Sequence, residues 1–197
     1  LSKLTFGTMQ FGGKADEAES KAMFEAAWQS GINHFDTAYI YTGGASESIL
    51  GPLIKPARDD IYLATKAGYT NGAGRAQILE HFDISRRRMN EDAVDLLYMH
   101  RFDDNTPLEE TFSTLAELQS NGLIRHIGVS NYAAWQVMKA QAVAKSLGTK
   151  IDVIQPMYSL VKRQSEVEIF GVAADQRITV VPYSPLGGGL LTGKYAQ

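Results

Sequence analysis

The chain has 197 residues, 44% apolar and 21% charged, with a net charge of −3 and no cysteine. That composition supports a sizeable core and excludes disulfides, thiolate catalysis and cysteine-held metal. The charge gives no sign of a nucleic-acid or membrane partner, the four histidines lack metal-ligand spacing, and no apolar run approaches the roughly 18 residues of a membrane span. No signal-peptide pattern occurs. A cytoplasmic protein is the expectation, and Leu at position 1 points to a natural start upstream.

Residues 4–9 read as a short buried strand running into Gly12-Gly13. Asp16 and Glu19 form a capping-box signal for a helix that carries Met23, Ala26 and Ala27 on one face and stops at Gly31. A strand beginning at His34 stops on Asp36, with Tyr41 in the loop beyond it. Ser46-Glu47 opens a short helix that Pro52 is expected to end or kink. Residues 61–66 form a third strand, ending on Lys66, and Ile78 and Phe82 share a face of the next helix. Strand four spans 93–99 and ends on His100. Thr106, as cap, with Pro107 and Glu109 starts a helix that Gly122 stops. Strand five spans 124–129 and ends on Ser130-Asn131. Val137, Ala140, Ala144 and Leu147 stripe the helix after it. Residues 151–154 are strand six, ending on Gln155; a helix covers 167–174; strand seven covers 178–183 and ends at Ser184-Pro185-Leu186.

Strands and helices thus alternate at roughly 25 to 35 residues per unit, the size of a βαβ step. The strands are apolar throughout, as buried parallel strands are. No linker interrupts the rhythm, so one domain over 1–197 is expected. Asp36, Lys66, His100, Asn131, Gln155 and Ser184 lie at or just past the C-terminal ends of strands two to seven. In an open sheet the outer strands are too far apart to share a site, whereas a (β/α)8 TIM barrel gathers strand ends at one face. That placement favours the barrel.

Those residues suit proton chemistry. A phenol, with a solution pKa of about 10, needs a nearby cation to act near neutrality. Lys66 is the available cation and is expected to lower Tyr41, Asp36 can hold Lys66, and His100 can donate to a substrate oxygen. No side chain supplies a hydride, so a nicotinamide cofactor is implied. Asn131 and Gln155 carry the donor–acceptor pairs that fix a carboxamide, and Tyr183 can stack on a planar ring. The Gly187-Gly188-Gly189 run and Gly193-Lys194 offer backbone N–H groups and one cation to a pyrophosphate.

Several motifs resemble the aldo/keto reductase family in order along the whole chain. They are Phe35-Asp36-Thr37-Ala38-x-x-Tyr41 with Ser46-Glu47-x-x-Leu50-Gly51, then Leu63-Ala64-Thr65-Lys66 and His100-Arg101-x-Asp103. Residues 127–131, Gln155-x-x-Tyr158-Ser159 and residues 183–195 complete the set. The flavour is similar to the bacterial and channel-β-subunit-like branch. The resemblance implies a TIM-barrel reductase that interconverts small aldehydes or ketones and alcohols with NADP(H), with Asp36, Tyr41, Lys66 and His100 as its catalytic four. It further implies cofactor contacts at Gly7, Thr8, Met9, Asp36, Ser130, Asn131, Gln155, Tyr183, Ser184, Pro185, Leu186, Gly189, Leu191, Gly193 and Lys194. It also implies that the eighth βα unit and the segment gripping the adenosine 2′-phosphate are absent from this chain. The oligomeric state is left open.

Plainer roles fit some of these positions. His34, His81 and His126 read as structural. Tyr39 is a second phenol two residues from Tyr41. The Arg86-Arg87-Arg88 run reads as a solvated helix face, and Asp152 and Arg101 as partners in surface or supporting ion pairs. Two rival functions remain: a barrel aldolase using Lys66 as a Schiff-base nucleophile, and a cofactor-sensing regulatory subunit without turnover.

Overall fold

The computed structural model describes residues 1–195; the last two positions, with the expected chain end at Gln197, lie outside them. Seven strands are β1 Thr5–Gly7, β2 His34–Asp36, β3 Tyr62–Ala67, β4 Val94–Met99, β5 Ile124–Ser130, β6 Val153–Gln155 and β7 Thr179–Val180. Six α-helices connect them: α1 Glu17–Gln29, α2 Ala45–Ile54, α3 Arg75–Met89, α4 Leu108–Ser120, α5 Ala134–Ser146 and α6 Ile169–Gln176. The strands pair in chain order and all in parallel. No helix among the described residues is long and apolar enough to cross a membrane.

The sheet is curled. Asp36 on β2 accepts a hydrogen bond of 2.9 Å from the side chain of Gln155 on β6. In a flat sheet those strands would stand about 19 Å apart, at roughly 4.8 Å per strand. Only strong curvature lets their side chains meet. β1 and β7 are the two ends of the order and are not paired with each other. The sequence expectation of a βα barrel is therefore met as a seven-stranded parallel sheet, and no eighth strand occurs among the described residues.

Strand parity divides the interior into two layers. Phe35, Leu63, Leu97, Met99, Ile127, Val129 and Ile154 point outward and form the main core with the helices. One example is Phe35, whose ring lies 4.7 Å from that of Phe24 on α1. The opposite parity faces the inside of the curl, where Ala64, Leu96, Tyr98 and Val153 pack together. Continuing that parity to the C-terminal ends turns Asp36, Lys66, His100, Ser130 and Gln155 inward. The site is thus set by the period of two.

Four local expectations are corrected. Pro52 lies inside α2 rather than ending it. Pro52 and Ser48, whose carbonyl loses its partner, are both exposed, so water can replace the missing bond. Thr106 does not cap α4: its hydroxyl donates to Asp103 at 2.5 Å, and Pro107 occupies the cap position. Leu147 follows α5 and is exposed, while Val137, Ala140 and Ala144 are buried. Regular β7 is shorter than expected because Pro182 brings no N–H; the extended course resumes where the Tyr183 amide donates to Pro156 at 2.9 Å.

α2 approaches the end of α3 through Gly51. A Cβ there would collide with the Met89 backbone, which cannot swing aside as a side chain can. Gly51→Ala is therefore expected to destabilise the fold by about 1–3 kcal/mol. Gly171→Ala in α6, where a Cβ meets nothing, should instead gain up to about 1 kcal/mol of helix propensity. Urea midpoints measure both, and an unchanged midpoint for Gly51→Ala contradicts the close approach.

Candidate active site

A cavity of about 640 Å³ opens at the C-terminal ends of the strands. Its volume falls in the usual range for small-molecule and cofactor sites. Gly7, Met9, Asp36, Tyr41, His100, Ser130, Asn131, Gln155, Tyr183, Ser184 and Pro185, which the sequence reading named as site residues, line it. Tyr69 and Arg101, which had no expected site role, also line it.

Lys66 sits beneath this cavity, 1% exposed. Its ammonium donates to the Asp36 carboxylate in an ion pair and to the Thr37 carbonyl at 2.8 Å. It lies 4.9 Å from the Tyr41 ring centre and 5.6 Å from that of Tyr98. The Asp36 carboxylate thereby has Lys66 on one oxygen and Gln155 on the other. Burial alone would lower the Lys66 ammonium, but Asp36 and Tyr41 outweigh it and raise it. Lys66 is a protonated cation beneath a phenol.

Tyr41 itself departs from one expectation. Burial raises the phenol above its ordinary value, and the lowering effect of Lys66 does not cancel that. Free of ligand, Tyr41 is therefore firmly protonated. Its ring meets His100 edge-on at 5.7 Å, and His100 meets Tyr69 at 4.9 Å. Burial, then Lys66 and Arg101, push the His100 imidazole down to about 3. It is neutral near pH 7, with one N–H to donate, and its buried Nδ1 has no partner among the described residues. Tyr39 faces the other way, stacked on His81 at 3.9 Å, so the two phenols of this loop are separated by geometry.

The loop carrying Tyr41 is pinned from behind. The Ser46 hydroxyl meets those of Thr8 and Thr37, each at 2.9 Å. Glu47, fully buried, accepts from Thr65 at 2.7 Å and from Arg88 at 3.0 Å. Arg88 also donates to the Tyr39 carbonyl at 2.8 Å. Arg88 is thus tied inward, which corrects the reading of the arginine run as solvated; Arg87 is exposed and paired with Asp83.

The cofactor-contact expectations divide in two. Thr8 is buried with its amide and hydroxyl both turned to Asp36 and Ser46, and it does not line the cavity. Leu186, Gly189, Leu191, Gly193 and Lys194 lie past its rim in or beside the turn Gly187–Thr192. Asn131, in the left-handed region, spends its amide internally: Nδ2 donates to the His100 carbonyl at 2.9 Å and Oδ1 accepts from Tyr183 at 2.8 Å. A nicotinamide dinucleotide nevertheless fits the residues present. A Cβ on Gly7 would meet nothing, so that wall is open. Tyr183 is held by its hydroxyl with its ring at the cavity, and Lys194 supplies a cation beyond the rim, beside a glycine turn whose Gly187 and Gly189 amides are already bonded to the Ser184 and Leu186 carbonyls.

A family model described as the aldo/keto reductase family matches residues 3–197. Aldo-keto reductase YhdN of Bacillus subtilis is 38% identical over all of this chain and 62% of its own length. Aflatoxin B1 aldehyde reductase member 2 of Rattus norvegicus is 35% identical over 96% of this chain and 53% of its own. A probable voltage-gated potassium channel subunit beta of Oryza sativa is 32% identical over all of the chain and 64% of its own. The chain spans a little over half to about two thirds of the length of these relatives.

His100 yields a pH prediction. An unfolded histidine takes up a proton near 6.5, while the folded one resists until about 3. As pH falls from 6.5 the unfolded state therefore binds more protons, and stability is lost progressively down to about 3. The His100 ring resonances should stay fixed from pH 8 to 5 in an NMR titration, and unfolding free energy should drop below pH 6. A His100 midpoint near 6.5 contradicts this environment.

Proposed function

The chain belongs to the aldo/keto reductase family, and from that premise we propose that it reduces aldehyde or ketone carbonyls to alcohols, reversibly, with NADP(H) as the cofactor. The observation that carries the reading is Lys66, charged and buried, facing the Tyr41 ring at 4.9 Å while held by Asp36. The described residues are read as one barrel-type domain of a cytoplasmic enzyme.

In this reading the bound nicotinamide supplies the hydride that no side chain can. Tyr41 gives its phenolic proton to the carbonyl oxygen as that oxygen becomes negative. The phenolate left behind faces the Lys66 cation, which offsets the new charge in a low-dielectric site. Asp36 keeps Lys66 in place and protonated. His100, neutral, donates its N–H to the same oxygen and orients it. In oxidation the Tyr41 phenolate takes the alcohol proton back. Gly7, Met9, Ser130, Gln155, Tyr183, Ser184 and Pro185 would border the cofactor, with Leu186, Gly189, Leu191, Gly193 and Lys194 along its outer part.

A Schiff-base aldolase is disfavoured by the same features. That chemistry needs a neutral amine open to substrate. Lys66 is buried, charged and bonded to a carboxylate. The similarity to a protein named as a channel β subunit supports a second reading, a cofactor sensor that does not turn over.

Tyr41→Phe removes the proton donor and little volume. Turnover of a reactive aldehyde should fall by about 10²–10⁴, while NADPH affinity, read by fluorescence titration, stays within twofold. Equal turnover by Tyr41→Phe contradicts the assignment. Tight NADPH binding by the unaltered chain, without reduction across a panel of carbonyls, would favour the sensor.

A further inference from the structure

Arg101 follows His100 at the end of β4 and lines the same cavity. Among the described residues it makes no ion pair and no hydrogen bond, which corrects its reading as a surface partner. Its guanidinium lies over the Tyr69 ring at 4.9 Å, and the other side of that contact chain is the His100 ring, 4.9 Å from Tyr69. The cation is thus two short steps from the imidazole that faces the reacting oxygen. Asp103 makes no ion pair with it among the described residues: the Asp103 carboxylate oxygens are turned to the Ala73 and Asn105 amides and to the Thr106 hydroxyl.

The charge of the cavity follows. Asp36 is the one carboxylate among the described lining residues, and Lys66 compensates it. His100 is uncharged near neutral pH. Arg101 is left as an uncompensated positive charge at the mouth, fixed on an aromatic face and with its N–H fork unused. A guanidinium so placed recognises a planar anion with two oxygens in a bidentate manner.

We propose that Arg101 selects substrates that carry a carboxylate a few bonds from the carbonyl, so that the enzyme interconverts short oxo acids, semialdehydes among them, and the matching hydroxy acids. The inference rests on the carbonyl-reductase reading. It adds the substrate class and the residue that sets it. Tyr69 is the platform that keeps the cation within reach, and its ring fixes the distance between anion and carbonyl.

The test compares 4-carboxybenzaldehyde with its neutral methyl ester, in the unaltered protein and in Arg101→Gln and Arg101→Lys. The unaltered protein should prefer the acid. Arg101→Gln should lower kcat/KM for the acid roughly tenfold, mainly through KM, and leave the ester unchanged. Arg101→Lys should restore part of the loss, and added salt should weaken the acid alone. Equal loss for acid and ester overturns the proposal and makes Arg101 a prop for Tyr69. A fall in NADPH affinity in Arg101→Gln, with acid and ester affected alike, makes it a cofactor contact and also overturns it. If neither acid nor ester is reduced, the reductase reading has failed. Calorimetric binding of 4-(hydroxymethyl)benzoate then decides this inference separately, with loss of binding in Arg101→Gln expected and equal binding overturning it.

Discussion

The buried pair of Lys66 and Asp36 constrains everything around it. A charged amine taken out of water is costly unless its partners are in place. Here they come from separate strands: the Asp36 carboxylate and the Thr37 carbonyl from β2 and its exit, with Gln155 from β6 completing the carboxylate. The curl of the sheet is what brings these groups together, and their mutual satisfaction fixes how far it curls. The polar cluster therefore ties the two sides of the sheet across its interior, where packing alone would tolerate small slips of register.

The same pair explains why the tyrosine is where it is. Tyr41 lies over the Lys66 ammonium from above, while its loop is gripped from outside by Ser46 and by the Glu47–Arg88 pair. One set of contacts fixes the charge and the other fixes the backbone. A phenol held between them loses little freedom when a substrate arrives, which is the condition for efficient proton transfer. The raised phenol is consistent with this arrangement: protonated at rest, it meets a compensating cation only when it gives up its proton.

Much of this was readable in the residues. Apolar strands ending on Asp36, Lys66, His100 and Gln155 pointed to a parallel barrel-type sheet and to a shared face, because parity turns those side chains the same way. Three features were not readable. The tie from Arg88 to Glu47 spans two helices, and nothing local separates Arg88 from Arg87, which stays solvated. That Tyr39 turns away and stacks on His81 is set by a tertiary contact that nothing local announces. The balance between burial and Lys66 at Tyr41 depends on depth, which a sequence does not give. Thr8 shows the converse: the resemblance implied a cofactor contact there, but its polar groups serve the Ser46 cluster instead of the cavity.

The most direct test of the central claim is a double-mutant cycle on unfolding free energy with Lys66→Met, Asp36→Asn and the pair together. If the buried ion pair is the constraint described, either single change strands a charge and loses about 3–5 kcal/mol, and the double variant loses clearly less than the two combined. Additive losses, or singles within a few tenths of the unaltered protein, would show that the pair does not hold the site together.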